Sequence, residues 1–394
     1  MQQSLLILGR QPALGLAELE SLYGADMLQP IGTEAALLDI EPPSVDFFRL
    51  GGSIKLCKVF GSIEATKWPD VQRHLEEKLP LLASSMPDGK ITLGLSAYGL
   101  NVKPQQLLAA GLTIKKLLRS ENRSVRLVPN QTPALNSAQV LHNGLTKENG
   151  IEIVLIRDGG KTIISQTVAE QDIESYTLRD RGRPKRDARV GMLPPKLAQI
   201  IINLAYGKEL KVPDPLLLDP FCGTGVVLQE AALMGLNVFG TDIDQRMIDY
   251  TQTNFDWLKS MNPRGELLGL EAGDATSHKW SKKPDTIACE AYLGRPFTST
   301  PQAEVLAKTA GDANIILTKF LQNLYDQIDS GTPLCIAVPA WQNSPGKFTH
   351  LPLIDRLGDL GYNRVRFELV RNEELLYYRE DQIVARELLV LTRK

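Results

Sequence analysis

Residues able to hold a ligand follow predicted strands in the second half of the chain. The run Leu216-Leu217-Leu218 predicts a buried strand that leads directly into Asp219-Pro220-Phe221-Cys222-Gly223-Thr224-Gly225. A second predicted strand, Asn237–Gly240, ends at Thr241-Asp242-Ile243-Asp244. Glycines let the backbone approach a ligand closely, and an acid about twenty residues later can hold ribose hydroxyls. The pattern predicts half of a site for an adenosine-containing cofactor.

The acid in this turn indicates which cofactor fits. The usual dinucleotide fingerprint is G-x-G-x-x-G, whereas this chain has D-P-F-C-G-T-G. A carboxylate at the strand end suits a cationic, amino-acid-tailed cofactor and would repel a pyrophosphate. We therefore predict S-adenosylmethionine, not NAD, with Asp219, Phe221, Gly223 and Gly225 beside it. The alternative is a plain strand-turn-helix connection.

Two further acids extend the predicted cofactor site. Asp242 would hold the ribose hydroxyls, and the competing role of helix N-cap suits Asp244 better. Asp274 follows the third predicted strand of this half, where its carboxylate could accept a hydrogen bond from the adenine amino group. A surface turn is the alternative for Asp274.

The elements that position these residues alternate between strand and helix from Leu216 onward. The closely spaced strand-like runs Arg364–Val370, Leu375–Tyr378 and Val384–Leu391 predict an antiparallel closing hairpin. The fold class expected is therefore α/β: a Rossmann-like class I methyltransferase domain with a mostly parallel, seven-stranded sheet. The first part of the chain predicts a separate α/β region.

A basic segment separates the two halves. Six of the eleven residues from Arg179 to Arg189 are Lys or Arg, with a Gly and a Pro among them, which predicts an exposed linker. We expect an N-terminal region at 1–170, a basic linker at 171–190 and a methyltransferase domain at 191–394.

The charge distribution favours a polyanionic partner. The net charge is −2, yet residues 101–200 hold 16 basic and nine acidic residues. This imbalance predicts a footprint for a polyanion such as RNA, and a merely solvated basic face is the alternative.

Composition also argues against several classes of protein. The four cysteines and four histidines lack metal-ligand spacing, so neither a metal site nor a disulfide framework is expected. No apolar run is long enough to span a membrane, and the start of the chain reads as a strand and not as a signal peptide. We expect a cytoplasmic protein with reduced thiols.

The motifs together resemble a known family. The turn D-P-F-C-G-T-G with T-D-I-D, preceded by Gly191-Met192-Leu193-Pro194-Pro195, looks like the THUMP-associated tRNA guanine-N2 methyltransferases of the guanosine-10 type. Leu135–Val140 resembles a patch of the THUMP module, and Leu376–Arg379 with Val384–Glu387 resembles the C-terminal hairpin. The resemblance implies that the first half binds tRNA and that the second half methylates a base amino group. It also adds a role for the basic segment, phosphate contact through Arg181, Arg183, Lys185 and Arg186. The alternatives are a merely soluble linker, or a structural role in which Asp180, Arg183 and Pro184 fix the path of the linker.

The catalytic motif departs from this family. Amino methyltransferases of this kind carry an acid or amide followed by Pro-Pro and an aromatic residue; the polar side chain binds the amine and the ring stacks on an extruded base. Aligned on Gly294, this chain has Glu290-Ala291-Tyr292-Leu293. We expect Glu290 to orient the amine and Tyr292 to stack on the base, both in altered geometry.

These expectations define an S-adenosylmethionine-dependent methyltransferase that acts on an exocyclic amine of an RNA base. The amine expected first is N2 of guanine in tRNA. Two alternatives remain open at this point. One is a DNA adenine-N6 methyltransferase, since the same acid and ring would serve that base. The other is a catalytically inactive protein that binds S-adenosylmethionine and RNA. The sequence indicates neither the target position nor an oligomeric state.

Overall fold

The computed structural model describes residues 3–187, 193–208, 212–294, 297, 301–344, 346–380 and 382–394. The α-helices of this described chain are α1 Pro12–Tyr23, α2 Trp68–Ser84, α3 Pro104–Ser120, α4 Ser137–His142, α5 Ile173–Arg181, α6 Pro195–Tyr206, α7 Val226–Leu233, α8 Gln245–Leu258 and α9 Ala303–Tyr325. Its strands are β1 Ser4–Leu8, β2 Leu28–Ile31, β3 Ala35–Leu38, β4 Ser53–Ile63, β5 Ile91–Tyr98, β6 Val125–Leu127, β7 Gly150–Asp158, β8 Lys161–Glu170, β9 Leu216–Asp219, β10 Asn237–Asp242, β11 Leu267–Ala272, β12 Thr286–Glu290, β13 Pro333–Ser344, β14 Lys347–Thr349, β15 Tyr362–Arg364, β16 Leu376–Tyr377 and β17 Val384–Arg393.

Contacts divide the chain into two compact units at positions other than the predicted boundaries. Unit 1 comprises Met1–Pro12, Asp26–Phe48 and Ser53–Ile173; unit 2 comprises Ala13–Ala25, Arg49–Gly52 and Glu174–Lys394. Most of α1 therefore belongs with the second half of the chain, since its buried face packs there. The functional roles given to the predicted domains remain predictions.

Unit 1 is built on an eight-stranded mixed sheet with the order β2-β3-β1-β4-β8-β7-β5-β6. Helix α2 buries Val71, Leu75 and Leu79 at helical spacing in one apolar cluster with strand β5. Helix α3 adds Leu107 and Ile114 to the same cluster. Two amphipathic helices thus cover one part of the sheet, as the apolar periodicity of each helix requires.

The centre of unit 1 contains a buried ion pair. The ammonium of Lys55, which is 0% exposed, lies 2.5 Å from Glu152 Oε1 and donates to the backbone oxygen of Leu135 at 3.0 Å. Ser96 Oγ accepts the Leu135 N–H at 2.9 Å. Both backbone groups of Leu135 are therefore fixed by buried polar side chains at the start of the Leu135–Val140 segment.

Unit 2 contains the predicted open sheet. The main path runs β11-β10-β9-β12-β13-β17-β15, with β14 pairing β13 and β16 pairing β17. Strands β11, β10, β9, β12 and β13 are parallel, and β17 runs antiparallel to β13 and β15. The expected parallel sheet with an antiparallel end is confirmed. Helices α6, α7 and α8 contact these strands, and α9 packs apolar residues in one cluster with them, as the burial of a parallel sheet requires.

One local expectation for unit 2 is wrong. The predicted strand Arg364–Val370 is only the short β15, because the chain leaves β17 after Val365. The backbone N–H groups of Glu368 and Leu369 instead donate to the carboxylate of Glu20 in α1. A side chain thus supplies the acceptors that a neighbouring strand would have given.

The basic segment is likewise not an exposed linker throughout. Residues Ile173–Arg181 form α5, where Arg179 pairs with Glu230 of α7 at 2.7 Å and its side chain is only 11% exposed. Arg183 is also buried. The long apolar stem and planar guanidinium of arginine allow it to be buried. A run of basic residues in a sequence nevertheless predicts full exposure.

Within the part of the chain that the structure describes, no helix combines the length and apolar character needed to cross a membrane.

Candidate active site

A cavity of about 510 Å³ lies at the carboxyl ends of the parallel strands of unit 2. Ligands of open parallel sheets bind at this edge, where neighbouring connections diverge. Among the predicted site residues, those that line the cavity are Asp219, Phe221, Gly223, Asp242, Asp274, Glu290 and Tyr292. The structure thus brings both predicted catalytic residues and all of the predicted cofactor residues except Gly225 to one cavity.

The glycine turn after β9 forms one wall. Gly223 and Gly225 both have positive φ, +52° and +81°. A Cβ on Gly225 would lie 2.7 Å from Thr251 Cγ2, whereas the nearest described atom to a Cβ on Gly223 would be the Phe221 oxygen at 4.0 Å. Gly225 is therefore needed for the packing behind the turn and does not line the cavity. Gly223 leaves its backbone open to a ligand.

Asp219 ends β9 and is almost completely buried, with 2% of its surface exposed. Its Oδ1 accepts the Phe221 N–H at 3.0 Å, which fixes the carboxyl group at the turn. Burial raises the pKa of Asp219 well above its usual range, and the nearby carboxylates of Asp242 and Glu290 raise it further. A cationic ligand would therefore stabilise the ionised form of this group.

Asp242 ends β10 and joins the turn to the next helix. Its Oδ2 accepts the Gly223 N–H and its Oδ1 accepts the Asp244 N–H, both at 2.9 Å. Burial raises the pKa of Asp242 despite these hydrogen bonds. Asp244 caps α8 by accepting the Arg246 N–H at 2.9 Å, as expected. Each oxygen of Asp242 keeps a lone pair with which it could accept a ribose hydroxyl.

Asp274 lies in a turn and also lines the cavity. Its Oδ1 accepts the Thr276 N–H at 2.9 Å, as in a surface turn. The exposed side chain also lines the cavity. Adenine recognition by Asp274 remains a prediction.

The residues that replace the family's catalytic motif also line the cavity. Glu290 is the last residue of β12, and its side chain is 14% exposed. Tyr292 is 45% exposed, and its ring can be reached by a base entering the cavity. Glu290 also forms an ion pair with Arg386 of β17, a contact absent from the sequence-based expectation.

Apolar residues that sequence analysis did not select complete the cavity. Ile243, which follows Asp242, is 73% exposed, a large value for an isoleucine beside a binding site. Helix α9 contributes Ile315, Ile316 and Lys319. The isoleucine between two acids in T-D-I-D could have indicated an apolar ligand surface. The α9 residues carried no such signal, because an amphipathic helix has the same pattern wherever it packs.

The four predicted phosphate contacts are not equivalent. Arg181, Lys185 and Arg186 are exposed. Arg183 is 3% exposed, and burial lowers the pKa of its guanidinium. Its Nε and one terminal nitrogen have no hydrogen-bond partner among the described residues. The exposure expected of Arg183 is therefore not found, whereas the other three side chains are accessible. Phosphate contact by these four residues remains a prediction.

Part of the basic segment is hydrogen-bonded, through one side chain of α8, to the glycine turn. Buried Asn254 of α8 accepts the Lys185 N–H and donates to the Lys185 oxygen, both at 2.9 Å. The same amide donates to the backbone oxygen of Thr224 at 2.9 Å. The ammonium of Lys185 lies 5.3 Å from the centre of the Tyr250 ring. The segment is therefore ordered where it passes the cofactor turn.

The cavity fits S-adenosylmethionine in size and in charge. Binding sites for small cofactors measure about 300–1,000 Å³ and are mainly apolar with a few placed polar groups. Here apolar side chains face acids that would attract a sulfonium and an ammonium group. Among the residues described, no group of three or more His, Cys, Asp and Glu is arranged to hold a metal ion. Sheet order and site together define a class I methyltransferase, whose cofactor is S-adenosylmethionine.

Comparisons with known proteins refine this class. The UPF0020 family, described as an RMKL-like methyltransferase domain, matches residues 183–314. A probable tRNA (guanine(10)-N2)-dimethyltransferase of Methanothermococcus thermolithotrophicus is 44% identical over 123 residues, which are 30% of this chain and 72% of that protein. The tRNA (guanine(10)-N2)-dimethyltransferase of Methanothermobacter thermautotrophicus is 32% identical over 150 residues, 38% of this chain but only 39% of that protein.

A solved structure supports the fold over the full length. The crystal structure of TrmN from Thermus thermophilus matches with a TM-score of 0.54 and 16% identity, covering 100% of both chains. At this identity the likeness concerns the fold alone. Because this chain covers most of a relative at 44% identity, it belongs to the family of the tRNA (guanine(10)-N2)-dimethyltransferases. The resemblance stated from the motifs is confirmed.

Proposed function

We propose that this chain transfers a methyl group from S-adenosylmethionine to an exocyclic amine of an RNA base in the cytoplasm, and that the base is guanine, at N2, in tRNA. The observation that carries the proposal is the single cavity that unites the glycine turn of Asp219 and Gly223 with Glu290 and Tyr292. The names of the relatives support tRNA as the partner and guanine 10 as the first position to test.

Each wall of the cavity has a distinct role in this proposal. When bound, S-adenosylmethionine supplies an activated methyl group on a positively charged sulfur. Asp219, Asp242 and Asp274 bind and orient the cofactor through charge and hydrogen bonds. Glu290 accepts a hydrogen bond from the amine of the base, and Tyr292 stacks on the extruded ring. Catalysis by these residues is positioning, because correct placement of reactants removes much of the entropic barrier.

The experiment is transfer of tritium from labelled cofactor into unmodified tRNA, followed by digestion and identification of the nucleoside. We expect N2-methylguanosine or its dimethyl form, and loss of label when guanosine 10 of the tRNA is replaced by adenosine. Double-stranded DNA is the matched alternative substrate. Label in DNA adenine would favour the DNA methyltransferase, and cofactor binding without transfer to any RNA would favour the inactive binding protein.

A further inference from the structure

A charged pair links the candidate catalytic acid to a strand far away in sequence. Arg386 of β17 donates through Nε to Oε1 of Glu290, a residue 96 positions earlier. The two side chains are 10% and 14% exposed. Among the side chains that the structure describes, Arg386 is the cation that pairs with Glu290, and Oε2 of Glu290 has no hydrogen-bond partner. One oxygen is thus held and the other remains available at the cavity.

The sheet explains how these residues meet across an intervening strand. Glu290 pairs with Ala337 of β13, and Arg386 pairs with Pro339 on the other edge of β13. Because Ala337 and Pro339 are two residues apart, Glu290 and Arg386 project from the same face of the sheet. The small side chain of Ala337 leaves room for a long arginine to reach across.

The charge of Arg386 affects the position of Glu290 in addition to any packing contact. Glu290 lies close enough to Asp219 for its charge to raise the pKa of that carboxyl group, and Asp242 acts on Asp219 in the same way. Three acids around one cavity repel one another, so an unpaired Glu290 would tend to turn away. The guanidinium of Arg386 offsets this repulsion on the side of Glu290 that faces away from the cofactor turn.

The altered motif increases the need for such a restraint. In the family motif the acid precedes a proline, which restricts the backbone of the preceding residue. Here Ala291 takes the place of that proline, and Glu290 has one more rotatable bond than aspartate. Both changes give the carboxylate more freedom, whereas an ion pair through one oxygen removes it.

We propose that Arg386 is a positioning residue that holds Glu290 so that its second oxygen receives the amine of the target base. This inference rests on the proposed function, because it assigns Arg386 a role in the same transfer. Arg386 itself does not line the cavity and is not a catalytic residue.

The test compares Arg386→Met, Arg386→Lys, Glu290→Gln and the Arg386→Met/Glu290→Gln double variant in single-turnover transfer to tRNA. Methionine keeps an apolar stem and removes the charge, whereas lysine keeps the charge and loses the fork. Misplacement of a reacting group by about 1 Å costs about 100-fold in rate, so Arg386→Met should lose about that factor in the single-turnover rate constant. The KM for the cofactor and its calorimetric Kd should not change, and lysine should restore part of the rate.

The double variant separates positioning from folding. If Arg386 acts through Glu290, the double variant should transfer no more slowly than Glu290→Gln alone. The matched control is Arg364→Met. This change removes the ion pair, at 3.1 Å, between Arg364 of β15 and Glu387, the neighbour of Arg386 in β17, and it should leave the transfer rate unchanged. Thermal unfolding of each variant identifies any that fails to fold. Should the methionine variant do so, Arg386→Lys with and without Glu290→Gln gives the same comparison.

Four outcomes would overturn the inference. If the wild type is active and the Arg386 variants transfer methyl groups at the same rate, the role of Arg386 is overturned and the proposed function stands. Equal losses for Arg386→Met in both backgrounds, or a weaker calorimetric affinity for the cofactor, would assign Arg386 a structural role. A wild type that methylates no RNA would remove the proposed function and this inference with it.

Discussion

At the scale of single residues, the sequence identifies side chains placed directly after a strand and misses contacts that cross the sheet. Asp219, Gly223 and Asp242 were identifiable because their positions relative to β9 and β10 are local. Arg386 was not identifiable, since its partner lies 96 residues earlier and nothing in a strand pattern specifies a partner two strands away. Arg183 illustrates the converse error, because a basic run indicates charge but not which side chain is buried.

At the residue scale, the buried carboxyl group of Asp219 predicts that cofactor affinity depends on pH. Burial raises the pKa of Asp219, so a larger fraction of this group is protonated at low pH than for an ordinary aspartate. A cationic cofactor favours the ionised form, and its Kd should therefore fall as pH rises through the raised pKa of Asp219. S-adenosylhomocysteine lacks the sulfonium charge and should show a weaker dependence. Asp219→Asn should abolish the difference and weaken S-adenosylmethionine binding about tenfold, or about 1.4 kcal/mol.

Calorimetry with both ligands at several pH values checks this prediction. Asp249→Asn, at an exposed position of α8 outside the cavity, is the matched control. An identical pH dependence for the two ligands, retained in Asp219→Asn, would refute the role of this carboxylate.

At the scale of elements, helices and strands were largely predictable, but their partners were not. Helix α1 lies early in the chain, and nothing in its local sequence indicates that most of it packs in unit 2. There, Glu18 accepts the N–H groups of Gly51 and Gly52 and the amide of Asn203 in α6, at 2.9, 2.8 and 2.7 Å. A Cβ on Gly51 would lie 2.0 Å from the Lys196 oxygen, so this junction requires glycine. Such contacts depend on tertiary structure alone.

The Glu18 junction should make the stability of unit 2 depend on pH. Burial raises the pKa of Glu18 from 4.5 to about 7. Between these values the folded protein binds more protons than the unfolded chain, so the free energy of unfolding falls as pH rises through this window. A shift of this size corresponds to about 3 kcal/mol. Glu18→Gln cannot ionise and should flatten the slope, while lowering stability because its amide nitrogen cannot accept a hydrogen bond.

Urea unfolding followed by tryptophan fluorescence measures this effect, because Trp257, Trp280 and Trp341 lie in unit 2. Glu266→Gln, at an exposed position, should keep the wild-type slope. A wild-type stability that does not change between about pH 4.5 and pH 7 would contradict the assignment.

At the scale of the whole molecule, the order of elements in unit 2 specifies its fold because parallel strands joined by helices have few allowed arrangements. The division of the chain was less predictable, since segments 13–25 and 49–52 join unit 2 from within the first half of the sequence. Composition gave a basic middle region, but burial of Arg179 and Arg183 makes the accessible positive charge smaller than the formal count.

Binding of S-adenosylmethionine at the glycine turn of unit 2 underlies every function proposed for this protein, and calorimetric titration of the intact chain measures it. Gly225→Ala is the informative variant, because φ is +81° and the new Cβ would lie 2.7 Å from Thr251 Cγ2. Gly331→Ala is its control, with φ +84° and no atom within 4 Å of the new Cβ. We predict saturable binding to the wild type and to Gly331→Ala, and affinity at least about tenfold weaker for Gly225→Ala. A wild type that does not bind the cofactor would refute this assignment. A Gly225→Ala variant that binds the cofactor as tightly as the wild type would show that binding does not depend on the shape of the glycine turn.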